Sequence, residues 1–204
     1  MRTRIALLLV LLAATVAHCE VLAPPVELLA GLQSGAIQAE FRGAGDDGVT
    51  GVLTRDEGGP SGVLIAPGTQ FWAQAGGSQG MSSTRGTRGD LTTTRYAQVW
   101  IPTACTNIGL RAPGENDVMV PSASPNPDLV ALCHAAALAD VPHAMIQVAV
   151  WAVANDPPRP RIAGYLRQQA ADSDGTLTQG GIMEGAAQLI LCAGLEPGAF
   201  RVFR

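Results

Sequence analysis

Ala144-Met145-Ile146-Gln147-Val148-Ala149-Val150-Trp151-Ala152-Val153-Ala154 is the longest apolar run outside the N-terminus, and one amide, Gln147, interrupts it. Ile146, Ala149, Val150 and Val153 recur at i, i+3, i+4 and i+7, one face of a helix. Val148, Trp151 and Ala152 make the opposite face apolar too, the pattern of a helix buried all round. The run predicts a central helix on which other elements pack. Gln147 inside it needs partners, because an unpaired amide in an apolar setting costs about 1–3 kcal/mol.

Helical periodicity extends to both sides of this run. Asn126-Pro127-Asp128 combines an N-cap, a proline at the first helical position and an acid in the first turn. Leu129, Leu132, Cys133 and Ala136 then share a face. Pro142 opens the central helix and Asn155-Asp156-Pro157-Pro158 ends it. Ile162, Tyr165, Leu166 and Gln169 suggest a third helix. Ile182, Gly185, Ala186, Leu189 and Ile190 suggest a fourth, closed by Gly194. Gly180, Gly181 and Gly185 weaken that helix intrinsically but suit close packing on the central one. Residues 199–203 read as an edge strand or an anchoring tail.

Before residue 120 the grammar is that of strands. Residues 36–42 alternate apolar and polar, and short strand-like runs follow at 49–53, 61–65, 70–73 and 91–101, separated by Gly, Pro and Asp turns. Val26 to Leu32 reads as a short helix or lead-in strand. The expected class is α+β: an antiparallel Ig-like β-sandwich over 36–120, then a helical segment of about four short helices over 121–204 packed on it. No internal repeat of 20–50 residues is present.

The chain has 204 residues, 47% of them hydrophobic, enough for a substantial core. All 13 basic residues are arginine, a habit of GC-rich bacterial genomes. A net charge of −4 and the lack of a basic tract speak against nucleic-acid or anionic-membrane binding. Arg2 and Arg4, the apolar residues 5–14 and the small residues Thr15-Val16-Ala17 form a signal-peptide pattern over 1–17. The expected location is therefore secreted, periplasmic or on the cell surface, with no membrane-spanning segment after signal removal. Cys19 offers a lipidation site, but His18 stands where a small residue is wanted, so export without a lipid anchor is expected. In an oxidising compartment Cys105, Cys133 and Cys192 are disulfide candidates, with Cys19 as a further partner.

Several patterns bear on chemistry. Gly76-Gly77-Ser78-Gln79-Gly80 matches the nucleophile-elbow pattern, which makes Ser78 a hydrolase candidate with His134 or His143 downstream. No helical pattern follows it, so a glycine-rich turn is the plainer reading. Cys133-His134 with His143 and Met145 has ligand chemistry, but adjacent helical positions diverge by about 100°, so no metal site is expected. Asp172-Ser173-Asp174-Gly175 lacks the later acids of a calcium loop. Arg88-Gly89-Asp90 reads as part of a polar hairpin. No cofactor motif appears.

One resemblance stands beside this reading. Gln147-Val148-Ala149-Val150-Trp151 resembles the glutamine-bearing motif of bacterial surface thioester domains, in which a Cys and a Gln form an internal thioester that captures host nucleophiles. Gln147 and Trp151 carry the match, and the partner it implies is Cys105. Around Cys105 the aromatic-Cys-Trp pattern of that family is absent, and the Cys–Gln separation is shorter than the family's.

The sequence thus leads us to expect an exported bacterial protein with a structural or binding, non-catalytic role toward an unidentified protein or surface ligand. A thioester module built on Cys105 and Gln147 is the first alternative, and a hydrolase using Ser78 the second.

Overall fold

A computed structural model describes residues 21–204. The expected signal peptide and Cys19 lie outside the described residues. Strand β1 (Val26–Glu27) runs directly into helix α1 (Leu28–Ser34), which Gly35 ends in the left-handed conformation at φ 73°. Strands β2 (Ile37–Gly43), β3 (Gly48–Arg55), β4 (Gly62–Ile65), β5 (Gln70–Ala73), β6 (Met81–Ser83), β7 (Thr87–Asp90), β8 (Tyr96–Cys105) and β9 (Val118–Ser122) follow. Helices α2 (Pro127–Leu138), α3 (His143–Asn155), α4 (Arg159–Asp172) and α5 (Gln179–Cys192) complete the regular structure. No helix among the described residues is long and apolar enough to cross a membrane.

The fold is α+β, but the expected Ig-like sandwich is wrong: the main sheet is a closed barrel in the order β2-β3-β8-β6-β5-β9. Every neighbouring pair is antiparallel. Closure depends on β9, which pairs with β5 on one side and, through Phe41↔Met119 and Arg42↔Val118, with β2 on the other. A sheet closed in this way has no free edge. The five-residue β9 carries Pro121, which has no N–H to donate, and so it lacks the usual sequence signature of a strand with two partners.

Alternation fills the interior. Phe41, Val49, Leu53, Phe71, Met81, Ile101 and Met119 point inward and are fully or almost fully buried. Phe41 and Phe71 meet edge to face at 5.1 Å between centroids, the arrangement favoured by ring quadrupoles. The strand expected at 61–65 belongs instead to a second, small sheet, β1-β4-β7. Buried Arg55 ties that region to the barrel by donating from Nε to the Leu91 carbonyl at 3.0 Å.

The helices enclose a second core around α3, whose residues 146–152 are all buried, Gln147 included. Asn126 caps α2, its Oδ1 accepting the N–H of Asp128 and of Leu129. Gly185 of α5 lies so close to α3 that an added Cβ would sit 2.2 Å from Met145 Sδ. Asp156 ends α3 at φ 44° and holds the tail by accepting the Arg201 N–H at 2.6 Å. That tail forms two short 3-10 turns, Pro197–Ala199 and Arg201–Phe203, and buries Val202.

The disulfide expectation also needs correcting, since Cys105, Cys133 and Cys192 are all free thiols. Cys105 sits in the barrel core and Cys133 in the helical core, while Cys192 is exposed at the end of α5. Pairing needs proximity, and these three side chains occupy different environments.

Candidate functional site

The site forms where the barrel runs out of strand. β8 is bonded to β3 up to Gly48↔Pro102, and the last rung is the Thr103 N–H donating to the Asp47 carbonyl at 2.8 Å. Beyond it the chain turns away into the β2–β3 connection. On the opposite flank β8 continues beside β6, with Met81 opposite Cys105 and the Thr106 N–H donating to Gly80 at 2.8 Å. Cys105 therefore has one main-chain edge with no strand to pair with.

Gln147 fills that vacancy. The Cys105 N–H donates to Gln147 Oε1 at 2.8 Å, and Gln147 Nε2 donates to the Cys105 carbonyl at 2.8 Å. One side-chain amide thus makes the two bonds that a neighbouring strand would have made. Gln147 is 1% exposed and Cys105 likewise 1%, so the pair is sealed from water. Left unpaired, each of these buried groups would cost about 1–3 kcal/mol.

The helix holds the strand at more than one point. His143 Nε2 lies 3.0 Å from the Thr103 carbonyl, and the Ile108 N–H donates to Asn155 Oδ1 at 3.1 Å. His143, Gln147, Trp151 and Asn155 are spaced by four, a single stripe along α3. Four helical residues rise about 6 Å and two strand residues about 6.6 Å. His143 and Gln147 therefore keep step with Thr103 and Cys105, the two strand residues they bond. Sequence reasoning singled out Gln147 but missed the stripe, although four polar-capable side chains at a constant spacing of four were available as a signal.

Cys105 and Ala104 face opposite ways and are both buried, Cys105 in the barrel core and Ala104 in the helical core. The Cys105 sulfur contacts Met81 Sδ at 3.5 Å and the Asp46 carbonyl at 3.7 Å. Burial, reinforced by the charges of Asp46 and Asp47, pushes its thiol up to about 12. Tyr165 is raised as well, by burial first and then by Asp46 and Cys105. Its ring meets Trp151 edge to face at 4.9 Å, and the Tyr165 hydroxyl and Trp151 Nε1 are buried without a hydrogen-bond partner.

The other candidates lie elsewhere. Ser78 is buried, bridged to Arg111 just after Gly76 and Gly77, both at positive φ, and the element that follows is strand β6, not a helix. His143 is engaged at Thr103 and His134 is exposed on α2. Cys133 packs its sulfur 3.4 Å from Ser82 Oγ, and burial pushes its thiol up to about 11. Among the described residues no group of three His, Cys, Asp or Glu side chains is placed to hold a metal ion. Arg88 and Asp90 lie on β7, where Asp90 Oδ1 accepts the Thr92 N–H at 2.9 Å.

No protein-family model matches this chain, and no significant match is found among curated proteins or solved structures.

Proposed function

We propose that this is an exported bacterial protein with a binding, non-catalytic role, and that its functional centre is an internal thioester between Cys105 and Gln147. The observation that supports this reading is the placement of the Gln147 carboxamide across the main chain of Cys105, a residue whose thiol is free and buried. Export rests on the residue pattern at 1–17.

In the proposed step the Cys105 sulfur swings from Met81 toward Gln147 and attacks the amide carbon Cδ. A Cδ–S bond forms, the Cδ–Nε2 bond breaks, and Nε2 leaves as ammonia with the thiol proton. The Cys105 N–H already donates to Oε1, where negative charge develops, as a preorganised donor should. Holding both reactants on one residue's backbone supplies proximity. Burial keeps water from the product until a nucleophile arrives. An incoming amine then forms an amide at position 147 and releases the thiol, so each molecule captures once and does not turn over.

A second reading treats Gln147 as a structural clasp, favoured by the way both ends of its amide satisfy the unpaired edge of β8. Intact mass of the purified protein separates the two. A thioester lowers the mass by one ammonia, and methylamine treatment then adds one methylamine; Cys105→Ala and Gln147→Ala each abolish both effects. An unmodified mass that methylamine leaves unchanged rules out the thioester and leaves the clasp.

A further inference from the structure

The outer surface of the barrel carries a trough that plays no part in the Cys105–Gln147 site. Its floor is β3, the strand between β2 and β8. Register places Arg42, Thr50 and Trp100 in one row, Glu40, Val52 and Gln98 in the next, and Gln38, Thr54 and Tyr96 in the third. Every middle member is short and every flanking member is long, so a channel runs along β3. One hollow of about 470 Å³ lies at the Trp100 end, and a second of about 530 Å³ continues past Glu40 and Val52 toward Thr54. Each lies in the size range of small-molecule sites.

The chemistry of this trough is specific. Trp100 is 47% exposed and Tyr96 60%, on the same wall and four residues apart, about 13 Å along the strand. Trp100 is laid down along the surface because residue 48 is glycine: a Cβ there would be 2.1 Å from its ring. Between and opposite the rings stand one carboxylate, one guanidinium and two amides, with no net charge. Two rings separated by hydrogen-bonding groups suit a ligand that alternates apolar C–H faces with hydroxyls.

From these observations we infer that the trough is a binding site for a linear, uncharged oligosaccharide, with Trp100 and Tyr96 as stacking platforms and Glu40, Arg42 and Gln98 reading hydroxyls between them. An extended peptide cannot join the sheet here, because β3 is bonded along both edges. A polyanion finds no excess positive charge, and a lipid chain lying here would have to cover the Glu40 carboxylate and the Arg42 guanidinium without pairing them.

The test is calorimetric titration of the purified protein with cellohexaose, chitohexaose and xylohexaose, with tryptophan fluorescence read in parallel. Saturable binding of at least one is expected, weakened about tenfold or more by Trp100→Ala and by Tyr96→Ala. Trp72→Ala removes an exposed tryptophan on β5, outside the trough, and should leave binding unchanged. If Trp100→Ala fails to fold, Gln98→Ala, an exposed side chain, reads the same loss. No binding of any of the three at millimolar concentration, or binding that survives these trough variants, overturns the inference.

Discussion

The Gln147 side chain meets Cys105 entirely through the main chain, accepting from its N–H and donating to its carbonyl, both at 2.8 Å. The identity of side chain 105 is therefore separable from the integrity of the clasp.

Replacing each partner in turn exposes that separation. Gln147→Ala leaves two buried main-chain groups unpaired and should destabilise the fold by about 3 kcal/mol or more. Relative to protein in which Gln147 is still an amide, Cys105→Ala keeps both bonds and loses only sulfur packing, so about 1 kcal/mol is expected. Urea unfolding followed by circular dichroism checks both values. Equal losses in the two variants would mean that the clasp contributes little.

Thiol accessibility gives a second measurement. Cys192 is exposed, whereas Cys105 and Cys133 are buried and raised to about 12 and about 11. In protein whose Cys105 thiol is free, iodoacetamide at pH 8 should label Cys192 quickly and the other two only on unfolding. The sign for stability follows from the direction of the shifts. Folding keeps these protons above the ordinary thiol value of 9.0, so the stabilisation is complete below pH 9 and is lost as pH rises through 11 to 12. Melting temperature should fall progressively over that alkaline window, and less steeply in Cys105→Ala.

At the acid end the relevant group is Asp117. Hydrogen bonding from Arg111, at 2.6 and 2.7 Å, and from the Gly114 N–H holds its carboxyl down at about 2. Its contribution is present above the ordinary value of 3.8 and disappears as pH falls through about 2. Asp117→Asn should flatten the dependence of melting temperature on pH between about 4 and 2, leaving the neutral range nearly parallel to wild type.

Two tightly packed glycines should respond differently to alanine. A Cβ on Gly43 would fall 2.6 Å from the Pro113 main-chain carbon, a rigid neighbour, so Gly43→Ala should cost about 1–3 kcal/mol. At Gly185 the obstacle is the flexible thioether of Met145, and alanine gains about 1 kcal/mol of helix propensity. Gly185→Ala should therefore be close to neutral in thermal melts.

The helical half was legible because its signals are local. Asn126-Pro127-Asp128 caps a helix as expected, and the apolar periods of α3 and α5 mark buried faces. The barrel was not legible, because closure is a property of pairing between distant segments. Val118–Ser122 is short, contains a proline and makes sense as a strand only once β2 and β5 flank it. Strands β6 and β7, three and four residues long, lie in a stretch of Ser, Thr, Gly and Arg that reads as a polar hairpin and gives no partners for either strand. Within the site, Gln147 announced itself as an amide in an apolar run. Cys105 entered only as the partner implied by the resemblance to thioester domains, not from any pattern of residues around it. Why the two meet was not visible, since the meeting depends on β3 beginning only at Gly48, opposite Pro102.

That late start of β3 also sets an order of events during synthesis. The barrel strands through β8 leave the ribosome before α3 does, so the edge at Cys105 stays unfinished until residue 147 has emerged and its helix has docked. Until then β8 has less to hold its register, and a slip by one position would exchange Ala104 and Cys105 between the two cores. The arrival of α3 thus proofreads the strand alignment of a barrel to which it contributes no strand.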